Sequence, residues 1–380
     1  MRLLLLFLFL YCCSMSVLYV FNPEHDLALA NGSPYFDAPL SAKQFATDCR
    51  MLLKWALGTD NDIYCSSEML RTSDISSTKA VVSWGWDKAV VNSLLKAGVA
   101  PSLLPSDHSL DIIHHLSNRK VAIDALDYLK HNLNLDIPLP RMLATVDEAV
   151  ALMEEYGSVV YKMPWSGSGK GIRICRGRLT DNDIRWLANV IDKQKAVMGE
   201  RYNTVVADFA MEFHADGDVD CCGYSLFQTS GGSYKSSMLM SDHAIVSYLS
   251  QWLSTKQLRQ CHDNVTAYMR QLIGSSYKGY FGVDMYVYKD ADGYKLNPMV
   301  EINMRMTMGH VAHALRQRLM ANDRQKMYVH YNTTAGNALL HHCNMQQQYS
   351  LVRDSEGKIL KGYLSLTPPT ERSHYNIYVL

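Results

Sequence analysis

The stretch YFGVDMYVYKDADGYKLNPMVEINMRMTMGH, residues 280 to 310, decides how the chain is read. Two runs of alternating apolar and polar residues flank DADGY, and Asp292-Gly293 is a dipeptide favoured in two-residue type I′ hairpin turns. With those residues in the turn, 291 faces 294, and stepping back along both strands brings Asp284 opposite Glu301. The pleat then puts Glu301, Asn303 and Arg305 on one face at spacing two. Val283, Met285 and Val287 lie on the other, apolar face with Val300, Ile302 and Met304. Two carboxylates and a carboxamide converge, with a guanidinium ending the row. All the ligand atoms are hard oxygens, which suits Mg²⁺ or Mn²⁺ bridging nucleotide phosphates. The competing reading is a solvated hairpin with two acids on its wet face. Pro298 marks an edge strand or a bulge, and a register shift of one residue would part Glu301 from Asp284.

A second stretch, SVVYKMPWSGSGKGIRICR at 158 to 176, sets Lys162 on an apolar strand and follows it with Ser166, Gly167, Ser168, Gly169, Lys170 and Gly171. Such a loop lets several backbone N–H groups converge on an anion while Lys162 and Lys170 add positive charge. It is not a P-loop. That motif needs glycine where Pro164 stands and Ser or Thr where Gly171 stands.

With 380 residues, 48% of them hydrophobic, the chain is long enough to bury more than one core. Basic and acidic residues balance at 37 each, so no overall field draws it to nucleic acid or an anionic membrane, and small-molecule chemistry is expected. Nine cysteines include no C-x-x-C pair and sit mostly in apolar runs, which suits reduced, packed thiols and a cytoplasmic setting. The opening MRLLLLFLFLYCCS resembles a signal-peptide core but lacks a small-x-small cleavage site and is too short to span a bilayer. Residues 1–15 are read as an extension of the gene model, with Met15 a natural start; an export signal is the alternative.

Strand-like and helical segments alternate, as in an α/β protein. SVLYVFN (16–22), DIYC (62–65) and KAVVSW (79–84) read as a small parallel sheet. Helical spacing appears at 41–57, 87–97, from 116, at 145–156 with Thr145 and Glu148 in capping-box spacing, at 180–193 and at 256–273. AVMGE and VVADFAMEF read as strands.

Taken in order, the strand lysine, SGSGKG, GVDM and VEINMR resemble the ATP-grasp superfamily of carboxylate-amine ligases over about residues 116–312. The preceding segment is similar to a pre-ATP-grasp domain. The resemblance implies an α/β (α+β) chain: a small parallel-sheet Rossmann-like domain at 16–115, an ATP-grasp domain at 116–330 and a C-terminal segment, 331–380, completing the fold. It implies ATP and Mg²⁺ (or Mn²⁺) as cofactors, with Asp284, Glu301 and Asn303 as metal ligands. Lys162 would meet the nucleotide phosphates and, with Arg305, act in catalysis. Residues Ser166 to Gly171 would form a lid over the phosphates. Lys120, with Arg119 as competitor, would be a second ATP contact, and Glu200 would border adenine and ribose; its plain reading is an exposed acid. Glu212 is a weaker candidate for ribose.

The activity so implied is amide formation between a small carboxylate and an amine through an acylphosphate. A phosphotransferase acting on a small carboxylate and a noncatalytic nucleotide-binding protein stay open. No side-chain nucleophile is needed, and Cys221-Cys222 read as packing. In parallel sheets, loops past the carboxyl ends of strands face the ligand crevice, so FNPEHD and SWGWDK supply the substrate candidates His25, Asp26 and Trp86, with Asn22, Glu24, Trp84 and Asp87 beside them. The plain alternatives are a histidine that caps a helix and tryptophans that fill a core. His310 and His313 are read as packing or substrate contacts rather than zinc ligands. Oligomeric state is not legible.

Overall fold

The computed structural model describes residues 16–75, 78–167, 171–230 and 233–380. The segment 1–15, and Ser168, Gly169 and Lys170 of the glycine-rich loop, lie outside the described residues.

Three strands, β1 (Ser16–Phe21), β2 (Ile63–Ser66) and β3 (Thr78–Ser83), form a parallel sheet in the order β2-β1-β3. Their apolar runs face helices on one side, with Leu18, Val20, Cys65, Val90 and Leu94 in one core. The helix Lys88–Lys96 follows β3 and is capped by Asp87, whose carboxylate accepts from the Ala89 and Val90 N–H groups.

Next comes an antiparallel sheet of β4 (Arg141–Leu143), β5 (Ser158–Lys162), β6 (Ile172–Arg176) and β7 (Val197–Arg201), in the order β4-β7-β5-β6. Helices Val146–Tyr156 and Asp181–Gln194 back it, and Leu152, Val159, Tyr161, Leu187 and Val190 fill the layer between. The Thr145–Glu148 capping box is formed, and Gly157 ends its helix with a φ of 65° that favours glycine.

The largest sheet has eight strands: β8 (Thr204–Ala215), β9 (Val219–Ser230), β10 (Ser233–Met238), β11 (Gly279–Asp290), β12 (Gly293–Asn303), β13 (Lys326–Tyr331) and, after the small hairpin of β14 (Val352–Arg353) and β15 (Ile359–Lys361), β16 (Leu364–Ser365) and β17 (Tyr375–Val379). Their order is β12-β11-β8-β9-β10-β13-β17-β16. Helices Arg119–Asn132 and Thr255–Ile273 cover one face, burying Phe209, Met211, Val283, Met285 and Ile302.

The parallel sheet docks on the other side. Phe21, Trp84 and Leu53 share a core with Val311 and Leu315 of the helix Met308–Leu319 and with Ile377 and Val379 of β17. The Met306 N–H donates to the Trp84 carbonyl at 2.8 Å, and Gly85 bridges to Arg305, so the end of β3 is tied to the chain just past β12. No helix among the described residues is long and apolar enough to cross a membrane.

Candidate active site

The site lies where the four-stranded sheet meets the open face of β8, β11 and β12. Asp284 pairs directly with Glu301, and Gly282 with Asn303. On the other side of β11, Tyr286 pairs with Asp208, Asp284 with Ala210 and Gly282 with Glu212. Directly paired residues point the same way, so Asp208, Glu212, Asp284, Glu301 and Asn303 share one face. Small residues at 210 and 282 leave the row open; a Cβ on Gly282 would come within 2.8 Å of Glu212 Oε2.

The register is reached by a route that differs from the expected one. Asp290 pairs with Gly293, so Ala291-Asp292 form the turn rather than Asp292-Gly293. The hairpin then runs two residues out of the expected register as far as Tyr286, which pairs with Asn297 rather than Met299. Between that pair and Asp284 and Glu301, β11 contributes Met285 alone while β12 contributes Pro298, Met299 and Val300. This bulge, braced by the Met299 N–H on Asn297 Oδ1 at 3.1 Å, restores the opposition of the two acids.

Burial pushes the Asp284 carboxyl up to about 8, and the charges of Glu301 and Glu212 push the same way; Arg305 and a hydrogen bond from Asn303 act against them. The row thus carries repulsion that a cation would relieve. Among the described residues no three His, Cys, Asp or Glu side chains form a closed metal cage. Two carboxylates and an amide oxygen instead suit Mg²⁺, which keeps several waters and takes few protein ligands.

Among the described residues, three cations border these acids. Arg119, at the start of the helix that Asn118 caps, is buried; its Nη2 lies 2.9 Å from Glu301 Oε1. Its Nε donates to the Met163 carbonyl at 2.9 Å, and Nη2 reaches Ser166 Oγ at 3.3 Å. Lys162, also buried, places Nζ 2.5 Å from Glu200 Oε1. Arg305 grips Asp26 with Nε and Nη2 at 2.9 to 3.1 Å and donates from Nη2 to Asn303 Oδ1 at 3.0 Å.

Of the neighbours 119 and 120, Arg119 is therefore the one brought to the row. Lys120 is 64% exposed and pairs with Asp124 one helical turn on, since successive helical residues point about 100° apart. In the glycine-rich loop, Ser166 and Gly167 lie close to the site. A Cβ on Gly167 would come within 2.2 Å of Asp26 Oδ2, and one on Gly171 within 2.3 Å of the Ser166 Cβ. Trp165 anchors the loop, stacking on His114 and donating from its indole N–H to the His114 carbonyl at 2.9 Å.

The substrate candidates divide. Asp26 reaches the row. His25 is fully buried, its Nδ1 3.0 Å from Asp87 Oδ2 and its ring against Gly85, where a Cβ would come within 2.4 Å of Cγ; it braces the loop. Trp86 packs between the large core and that of the parallel sheet. Glu24 is buried, with Oε1 accepting from Ser67 at 2.8 Å.

Asp208 was missed, although alternation in VVADFAMEF puts it on the face of Glu212. Burial raises its carboxyl, against the opposing influence of Thr229 and Lys162. Glu212 accepts from Ser225 and Thr307 at 2.7 and 2.8 Å and lies 3.0 Å from His310 Nδ1, a buried network beneath Asn303 that fits His310's packing role. Burial pushes the Cys221 and Cys222 thiols up to about 11 and about 12, which favours their protonated form.

No protein-family model and no curated protein matches the chain. Solved structures do. A biotin carboxylase–β-γ-ATP complex from Campylobacter jejuni aligns with a TM-score of 0.52 at 10% identity, covering 96% of this chain and 86% of that one. The biotin carboxylase domain of the Hydrogenobacter thermophilus 2-oxoglutarate carboxylase, in complex with MgADP, ADP and bicarbonate, gives 0.51 at 13% identity over 96% and 86%. An N5-carboxyaminoimidazole synthase from Aspergillus clavatus, with ADP and its aminoimidazole ribonucleotide, gives 0.50 at 13% over 96% and 93%. At these identities the likeness is one of fold.

Proposed function

The chain has the ATP-grasp fold, and from that premise we propose that it is an ATP- and Mg²⁺-dependent ligase joining a small carboxylate to an amine through an acylphosphate. The observation that carries the reading is the alignment of Asp284, Glu301 and Asn303 on one face, bordered by Arg119, Lys162 and Arg305. A hard-oxygen row flanked by buried cations is what a polyphosphate and its counter-ion require.

In this reading Asp284, Glu301 and Asn303 hold Mg²⁺, which when bound neutralises charge on the transferring phosphoryl group. Lys162 Nζ and Arg119 meet phosphate oxygens, exchanging their present carboxylate partners, Glu200 and Glu301, for anionic ones. Ser166 and Gly167, beside Arg119 and Asp26, would border the phosphates and help keep water from the acylphosphate. The carboxylate oxygen attacks the γ-phosphorus and ADP leaves; the amine nitrogen then displaces phosphate at the acyl carbon, and the proton it loses leaves with the phosphate. Positioning and charge neutralisation would supply the catalysis.

The test supplies purified protein and MgATP with pools of amino acids and small carboxylates, following ADP release and searching for a new amide by mass spectrometry. Substrate-dependent ADP release with an amide of matching mass supports the proposal. A stable phosphorylated product in place of the amide would move it to phosphotransfer, and absence of ADP release across the pools would contradict it.

A further inference from the structure

We infer that Asp26, in the first turn of the helix that follows β1, is a positioning residue of the metal row and acts through Arg305 on Asn303. The inference rests on the reading of that row given above, but assigns that helix a part in it.

Arg305 has five N–H donors. Nε donates to both carboxylate oxygens of Asp26 at 3.1 Å, Nη2 to Asp26 Oδ2 at 2.9 Å and to Asn303 Oδ1 at 3.0 Å, and Nη1 to the Met306 carbonyl at 3.2 Å. Nearly every donor is in use, so the guanidinium is a fixed fork whose charge Asp26 balances. Asn303 is held through its side-chain oxygen, which accepts from Arg305 Nη2 at 3.0 Å. One lone pair of Oδ1 is left for a cation, in a fixed direction.

Asp26 is itself placed by the fold. It lies in the first turn of the helix His25–Asn31, beside His25, which is locked to Asp87. The bridge between Gly85 and Arg305 holds the two strand ends together, and Gly167 packs so closely on Asp26 that no side chain fits there. The parallel-sheet domain, the phosphate loop and the metal row therefore meet at one carboxylate. Without its charge, the Arg305 guanidinium would be balanced only by Asp284 and Glu301, the acids a cation needs, and would compete with a divalent cation for them while attracting phosphate.

The experiment measures Mn²⁺ binding by electron paramagnetic resonance in the presence of a nonhydrolysable ATP analogue, and binding of the analogue without metal by calorimetry. Asp26→Asn should weaken Mn²⁺ affinity by about 10- to 100-fold, the usual effect of removing an outer-sphere partner. Metal-free nucleotide affinity should hold or tighten. Unchanged Mn²⁺ affinity in a folded variant overturns the inference, and so does parallel loss of both affinities with a lowered melting temperature, which would mark a strut. Should Asp26→Asn not fold, Arg305→Lys decides, because lysine keeps the charge but cannot grip Asp26 and Asn303 together; the same selective loss is expected. Failure of the wild-type protein to bind Mn²⁺ with the nucleotide would instead remove the reading of the row itself.

Discussion

Arg119 Nη2 stands 2.9 Å from Glu301 Oε1, so a buried guanidinium offsets one of the two opposed carboxylates of the row. Arg119→Met should destabilise the metal-free protein by about 3 kcal/mol, because removing one partner leaves a poorly solvated charge. Millimolar Mg²⁺ should recover part of that loss by taking the guanidinium's place beside Glu301. Urea unfolding of both proteins, with and without Mg²⁺, measures this; the same deficit in both conditions would mean that Arg119 only supports the Met163 loop.

Lys162 and Glu200 sit on adjacent strands of the four-stranded sheet, with Val160 opposite Glu200 and Lys162 opposite Met198. Their side chains meet at 2.5 Å. Lys162→Met should cost about 2–3 kcal/mol of stability as well as nucleotide affinity, since Glu200 is left with little solvent. Adding Glu200→Gln should return much of the stability and none of the affinity. A double-mutant cycle with calorimetric titration separates the two; additive stability losses would show that the pair is not coupled.

These pairs also mark where reading the sequence succeeds and stops. Alternation and caps are local, so the hairpin's apolar face, the Thr145 cap and the helix at Thr255–Ile273 were legible. The opposition of Asp284 and Glu301 was anticipated through two departures that cancel, a turn displaced to Ala291-Asp292 and a bulge at Pro298 to Val300. Pro298 advertised the bulge but not its size. Contacts such as Arg119 with Glu301 and Asp26 with Arg305 join distant segments and leave no periodic trace. Hence the sequence leaves Lys120 and Arg119 as competitors where the fold brings Arg119 to the row, and it offers His25 as a substrate contact where the fold closes its ring in between Gly85 and Asp87.

Glu24 gives a pH dependence with a definite sign. Burial raises its carboxyl from 4.5 to about 7, against the pull of backbone and Ser67 hydrogen bonds. Between those values the folded protein binds more protons than the unfolded chain, so rising pH favours unfolding. Stability from this group is present below about pH 4.5 and lost by pH 8, a change of about 3 kcal/mol. Glu24→Gln keeps the Ser67 acceptor and removes the titration. Relative to wild type, the variant should gain stability between pH 5 and pH 8 in chemical unfolding; a constant difference would rule the effect out.

The central claim is that Asp284 helps hold the cation that lets a carboxylate take the γ-phosphoryl group. Hydroxylamine, a small strong nucleophile, traps acylphosphates as hydroxamates whatever the natural amine. Wild-type protein given MgATP, hydroxylamine and pooled small carboxylates should form hydroxamate in step with ADP. Asp284→Asn should do so at least ~100-fold more slowly while keeping its fold, because relieving the repulsion with Glu301 spares stability as it removes a ligand. ADP release without hydroxamate, or equal rates in both proteins, would contradict the account.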